Sequence, residues 1–230
     1  MNTQWVTFDC FGTLVDWNTG FSQLLTPLFG PQTSDVIRAY HQFERELQTG
    51  RSYCLYRDVL AAGLSRAAAA AGVPISENSV RVLPERWGSL PVFADVEPML
   101  GSLRAMGCHL AVLTNCDDDL FEQTQRAFRQ PFDLVVTAEQ VGAYKPADRH
   151  FERFVELSEV PRQDWVHVAC SWYHDIAPAC KLGIQRVWLD RDRTGEDERT
   201  ASVRVESATK IGRIVRQMMT RPPNTVPKPA

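Results

Sequence analysis

Apolar residues in this chain come in short blocks separated by longer amphipathic stretches. Five blocks rich in β-branched and aromatic side chains have the length and composition of buried strands: Trp5 to Phe8, His109 to Leu113, Leu134 to Thr137, Val166 to Ala169 and Arg186 to Leu189. Between the later blocks apolar positions recur at helical spacing, over Pro98 to Met106 closed by Gly107, Asp119 to Phe128, Pro146 to Glu159, and Ile176 to Leu182 closed by Gly183. Strands alternating with helices predict right-handed crossovers, hence an α/β fold with a mostly parallel sheet covered on both faces.

From about Asp16 to Leu90 the alternation stops. That stretch offers no convincing strand and several amphipathic helical patterns, so it reads as an inserted helical domain. Ser34 is placed to cap a helix running through Tyr40 and Phe43 to Leu47, and a second helix runs from about Tyr56 through Ala67 to Ala71, stopping at Gly72-Val73-Pro74. The expected division is therefore 1–15 with 91–220 as core and 16–90 as insertion. The last ten residues hold four prolines and no apolar period, which predicts a disordered tail over 221–230.

Composition narrows the function classes. With 230 residues, 44% of them hydrophobic, the chain can bury a large core, and a net charge of -3 lacks the basic excess a nucleic-acid binder needs. No apolar run approaches the roughly 20 residues of a membrane helix. The start Met1-Asn2-Thr3-Gln4 has no basic leader, so a cytoplasmic protein without a membrane or nucleic-acid partner is expected, as a monomer or homodimer. Six cysteines form no CxxC pair and have no histidine at zinc-finger spacing, so buried free thiols are the natural reading.

Candidate chemistry lies where polar residues follow the predicted strands. Asp9 follows the first strand and Thr114-Asn115 the second, while Lys145 comes a loop after the third and Asp175 a loop after the fourth. In open α/β sheets ligands bind at the carboxyl ends of the strands, so four separate loops would bring these groups to one crevice. Gly12-Thr13 just beyond Asp9 would make a tight exit turn that leaves the carboxylate at the sheet edge.

The DxxGTLxD pattern from Asp9 to Asp16, the pair Thr114-Asn115, the triplet Tyr144-Lys145-Pro146 and the SxxxD stretch from Ser171 to Asp175 occur in order across nearly the whole chain apart from the tail. Together they resemble the haloacid dehalogenase (HAD) superfamily of hydrolases. The resemblance implies a Rossmann-like core with an α-helical cap inserted between the first two motifs. It also implies a covalent mechanism, in which Asp9 attacks the substrate, Lys145 holds the nucleophile and substrate charge, Thr114 and Asn115 donate hydrogen bonds, and Asp175 orients Lys145 and the attacking water.

Within the superfamily, phosphatases usually carry an acid two residues after the nucleophile to protonate an alkoxide leaving group, and here that residue is Phe11. A halide leaves without a proton, so Phe11 points to the 2-haloacid dehalogenase branch and a short anionic halocarboxylic acid as substrate. Ala169-Cys170 stands where magnesium-dependent members tend to have Gly-Asp, removing one hard oxygen ligand, so no metal cofactor is expected. A magnesium-dependent phosphatase is the alternative, and a non-catalytic anion-binding relative is a third. Two positions depart from L-2-haloacid dehalogenases: His41 aligns with a cap arginine that helps receive the halide, and Trp172 with an asparagine of the fourth motif. Both are candidate substrate contacts.

Each of these residues also has an ordinary structural role open to it. Asp9 can cap the Thr13 turn, Lys145 can be a solvated loop lysine, Asp175 can N-cap the helix from Ile176, and His41 can be a packing histidine. His174 and the aromatics Trp17, Tyr40 and Tyr56 can belong to the wall or simply to the core. Asp117-Asp118-Asp119 read as solvated acids favouring a helix N-terminus.

Overall fold

The computed structural model describes residues 4–50 and 52–220. Six strands form one sheet: β1 (Trp5–Phe8), β2 (His109–Thr114), β3 (Leu134–Thr137), β4 (Trp165–Ala169), β5 (Gln185–Leu189) and β6 (Val203–Val205). All neighbours are parallel and the order is β3-β2-β1-β4-β5-β6. Every residue of β1 and β4 is buried, as expected for central parallel strands covered on both faces. β6 was not anticipated, because Val203-Arg204-Val205 is too short to stand out as an apolar run.

Ten α-helices stand among the described residues. α1 (Trp17–Phe29), α2 (Thr33–Gln48), α3 (Tyr56–Ala70) and the single turn α4 (Val82–Glu85) lie between β1 and β2. α5 (Val96–Ala105) leads into β2, α6 (Asp118–Gln125) follows it, and α7 (Ala138–Val141) and α8 (Arg149–Ser158) separate β3 from β4. α9 (Ala177–Lys181) precedes β5, and α10 (Ile211–Thr220) ends the described chain. Side-chain alternation splits the core into two layers. Val6, Phe8, Val112, Val166 and Val168 face one way, in the same layer as Leu103 of α5 and Ile214 of α10, while Trp5, Ala111, Leu113 and Trp165 face Phe151 and Phe154 of α8.

The helices between β1 and β2 leave and rejoin the sheet at adjacent points. The Asp16 amide donates to the Pro91 carbonyl at 2.7 Å, and the Phe93 amide donates to Leu14 at 3.0 Å. Asp16 caps α1, accepting from the Thr19 amide at 3.1 Å. Ser34 does not cap α2: the helix already begins at Thr33 and has no side-chain cap. α2 and α3 approach closely because residue 63 is glycine, where an added Cβ would stand 2.9 Å from the Tyr40 ring.

Asp175 is not an N-cap either. The chain after β4 makes a π-helical turn over Trp172–Ile176, whose His174 amide donates to the Ser171 hydroxyl, and α9 starts only at Ala177. That extra-wide turn carries Asp175 inward instead of leaving it at a helix start. The expected tail, 221–230, lies outside the described residues. Among the described residues no helix is long and apolar enough to cross a membrane.

Candidate active site

The parallel register sets the site. Phe8 is level with Val112 of β2 and Val168 of β4, so the residues that follow these strands emerge at one edge. The Asp9 amide still donates to Val168 at 3.1 Å, and the chain then turns sharply through Gly12, whose φ of 90° is a conformation that side-chain-bearing residues rarely adopt. An added Cβ there would stand 2.8 Å from Cys170 Sγ. The turn brings Thr13 back onto Asp9: the Thr13 hydroxyl donates to Asp9 Oδ2 at 2.7 Å and itself accepts from the Cys170 amide at 2.8 Å. The turn-capping role of Asp9 and its placement at the sheet edge are thus the same arrangement.

Lys145 is 1% exposed, and its ammonium donates to Asp9 Oδ1 at 2.9 Å, to Asp175 Oδ1 at 2.6 Å and to the Leu113 carbonyl at 2.8 Å. All three protons are therefore engaged. Burial alone would lower the lysine pKa, but Asp175 and then Asp9 outweigh it and raise it, so the charge is retained. Burial likewise raises Asp175, while Lys145 and the His167 hydrogen bond overcome that effect and bring its carboxyl to about 2. Asp175 Oδ2 is buried, without a hydrogen-bond partner among the described residues, and Asp175 lines the cavity above Asp9.

That cavity has a volume of about 470 Å³. Phe11, His41, Asn115 and Trp172 all line it, together with Asp9, Lys145 and Asp175. Thr114 does not: it is fully buried with its hydroxyl toward Cys116 Sγ at 3.5 Å, because the last residue of β2 points into the packed interior, and the expected substrate contact is corrected accordingly. The Asn115 amide is engaged with the Lys145 main chain, accepting from its N–H at 2.7 Å and donating to its carbonyl at 3.2 Å, so it fixes the lysine loop. Phe11 packs on Trp87 with ring centroids 4.6 Å apart, and His41 stands edge-on to Trp17 at 4.4 Å. The indole N–H of Trp172 is buried without a partner among the described residues. Trp17, Tyr56 and His174 line the cavity, whereas Tyr40 packs in the core.

Several contributors were not anticipated. Glu44, Arg45 and Gln48 line the cavity beside His41, and the spacing 41, 44, 45, 48 is one face of α2, a polar stripe legible in the sequence. Glu44 accepts from the Tyr56 hydroxyl and lies 3.6 Å from His41 Nδ1. Asp117, expected in solvent, is fully buried: it accepts from the Tyr56 amide at 2.7 Å, the Arg57 amide at 2.9 Å and Arg57 Nε at 3.0 Å. A core loop thus caps α3, and Arg57 is held there instead of in the cavity.

The donor set does not suit magnesium. Cys170 Sγ occupies the corner between Asp9 Oδ2 at 3.9 Å and the Phe11 carbonyl at 4.0 Å, where a hard oxygen would be needed. Burial, then the Asp9 charge, pushes this thiol well up from its ordinary pKa, so it stays neutral. Among the described residues no three histidine, cysteine or acidic side chains form a metal-binding group.

Comparison with known proteins gives a consistent picture. A family model described as haloacid dehalogenase-like hydrolase matches residues 3–169. The chain is 34% identical over 99 residues to haloacid dehalogenase-like hydrolase domain-containing protein 3 of Xenopus laevis, a match spanning 43% of this chain and only 39% of that relative. It is 23% identical over 199 residues to haloacetate dehalogenase H-2 of Moraxella sp. (strain B), covering 84% of this chain and 88% of that one. In fold it is similar to the solved structure of L-2-haloacid dehalogenase from Xanthobacter autotrophicus, with a TM-score of 0.84, 16% identity, and coverage of 94% and 99%.

Proposed function

The chain belongs to the haloacid dehalogenase-like hydrolases, and from that premise we propose that it hydrolyses the carbon–halogen bond of a short 2-halocarboxylic acid through a covalent ester on Asp9. The observation that carries this reading is Phe11. Two residues beyond the nucleophile stands an aromatic ring in the cavity wall, packed on Trp87, and not an acid. A leaving group that needs a proton has no donor there, whereas a halide needs none.

In the first step an oxygen of Asp9 attacks C2, the carbon–halogen bond breaks, and the halide departs with the electron pair. Lys145 and Thr13 hold the carboxylate for that attack. In the second, water adds to the Asp9 carboxyl carbon and gives a proton to Asp175, which lines the same cavity and whose Oδ2 has no hydrogen-bond partner among the described residues. The ester C–O bond then cleaves, the alkoxide takes the proton from Asp175 to leave a 2-hydroxy acid, and the second proton of the water passes from the Asp9 carboxyl to solvent, regenerating the carboxylate. The Trp172 indole N–H, without a partner among the described residues, is a donor for the substrate carboxylate. Residues 16–90 act as a cap that closes the cavity through α2. The misfit of magnesium supports a reaction without a metal, and the six unpaired thiols support a reducing, cytoplasmic setting.

A single turnover of 2-chloropropionate in ¹⁸O-water tests the covalent route: the label is expected in the Asp9 peptide and not in the hydroxyl of the product. Halide release is expected to persist in excess EDTA, and Asp9→Asn is expected to abolish it in a folded protein. Release of phosphate from para-nitrophenyl phosphate only with added Mg²⁺, with no halide from any haloacid, would replace this reading with the phosphatase one. Silence with both substrates would leave a binding protein.

A further inference from the structure

His167 is a polar residue in the middle of a central, fully buried strand, on the sheet face packed by Phe151, whose ring lies 5.2 Å away edge-on. An apolar side chain would fill that position at no desolvation penalty, so the imidazole calls for a reason. Its two nitrogens are both engaged. Nε2 is 3.1 Å from Asp175 Oδ1, and Nδ1 is 2.8 Å from the Thr7 hydroxyl, which in turn accepts from the Trp165 indole N–H at 2.8 Å.

Proton counting gives this chain a direction. The Trp165 indole can only donate, so Thr7 Oγ1 accepts from it and has its own proton left to give. The partner in reach is His167 Nδ1, which must then be unprotonated; an imidazolium would aim a second N–H at Thr7 and strand the hydroxyl proton, for which no other acceptor stands among the described residues. Nε2 therefore carries the proton and donates it to Asp175. With Lys145 on the same oxygen, Asp175 Oδ1 holds two donors, and the carboxylate is fixed in a rotamer that leaves the buried Oδ2 without a donor among the described residues, on a residue that lines the cavity.

We infer that His167 is a positioning residue: through the relay Trp165–Thr7–His167 it locks Asp175 so that one oxygen stays free to accept the proton of the hydrolytic water. This rests on the reading of Asp175 as the group that accepts that proton. Attack by Asp9 does not need the free oxygen, so the relay acts on the second step and not the first. Without the imidazole, Asp175 is held by Lys145 alone and can turn both oxygens to the ammonium.

The test has two readouts. In ¹⁵N-histidine-labelled protein, His167 is expected to show an unprotonated Nδ1 and a protonated Nε2; an imidazolium, or the opposite tautomer, overturns the assignment. With 2-chloropropionate, His167→Phe is expected to slow ester hydrolysis about 10- to 100-fold, the loss expected from one charge-assisted hydrogen bond. Ester formation should be nearly unchanged, so the Asp9 adduct accumulates in the intact-mass spectrum. His167→Gln, which restores an N–H donor near the same place, should recover part of the rate. Equal slowing of both steps, or no slowing in a folded His167→Phe protein, overturns the proposal. If wild-type protein releases no halide and Asp175→Asn traps no adduct, it is the dehalogenase reading that fails, and the nitrogen shifts alone then decide the state of His167.

Discussion

Replacing Lys145 by methionine keeps the length of the side chain and removes the charge that holds two carboxylates together. In the wild-type protein the ammonium lies 2.9 Å from Asp9 and 2.6 Å from Asp175, at 1% exposure, so solvent screens the cluster little. Asp175 shows part of the magnitude: lowering its carboxyl from the ordinary 3.8 to about 2 corresponds to about 2 kcal/mol of stability at neutral pH. Because the folded-state value is depressed, that contribution is present above about pH 4 and is lost as the pH falls through 2. Removing one partner of a buried pair typically costs about 3–5 kcal/mol, since the remaining charge is left without compensation. In Lys145→Met the two acids face each other without a cation, one of them is pushed upward, and the sign of the pH dependence reverses. Urea unfolding should show a loss of roughly 3–5 kcal/mol at pH 7.5, narrowing by about 1–2 kcal/mol at pH 5.0 as one carboxyl takes up a proton. A variant within about 1 kcal/mol of wild type at pH 7.5, or a gap that does not narrow at pH 5.0, would refute the account of the cluster.

Asp117→Ala should lower stability by about 2–3 kcal/mol in the same assay, because two α3 amides and the Arg57 side chain lose a charged acceptor; a change below about 0.5 kcal/mol would mean that α3 is held by its apolar face alone. Gly12→Ala should cost roughly 1–3 kcal/mol in backbone strain and reduce turnover, since the new methyl meets Cys170 Sγ at 2.8 Å and displaces the Thr13 turn from Asp9. Iodoacetamide at pH 7.5 should leave Cys10, Cys116 and Cys170 unmodified in folded protein, as burial raises all three thiols; rapid labelling of Cys170 would show that the thiol beside Asp9 is ionised.

What the sequence made legible follows from the range of the interactions. The five longer strands and the flanking helices are local patterns, and apolar runs beside Gly107 and Gly183 announce them without any tertiary knowledge. Asp9, Lys145 and Asp175 are distant in sequence, yet each follows a strand, and a parallel sheet has only one edge to which such residues can go. β6 escaped because three residues carry no pattern; it is paired to β5 by the main chain, with Val203 level with Val187. The Ser34 cap failed for the opposite reason. A good local signal lost to Gly30–Gln32, whose 3₁₀ turn starts the helical path before Ser34 is reached.

Asp117 and Thr114 show where strand-end logic stops being enough. Both lie at or just beyond the end of β2, and the reading that brought Asp9 to the cavity would bring them there too. A strand's last residues alternate between faces, however, and only the structure of what covers each face decides their surroundings. Thr114 turns into the packed interior, and its carbonyl meets His150 Nε2 at 3.1 Å. Asp117 meets the first amides of α3, a helix that the sequence places 60 residues earlier and gives no reason to set against this loop. An acid beside a helix N-terminus was expected, but the helix it serves is in the insertion and not the one it precedes. The loop that follows β2 thus carries both Asn115, which fixes the Lys145 main chain, and Asp117, which anchors the insertion bearing His41 and Glu44. A shift of that one loop would move the lysine and the cavity wall together, which ties the position of the insertion to the geometry at Asp9.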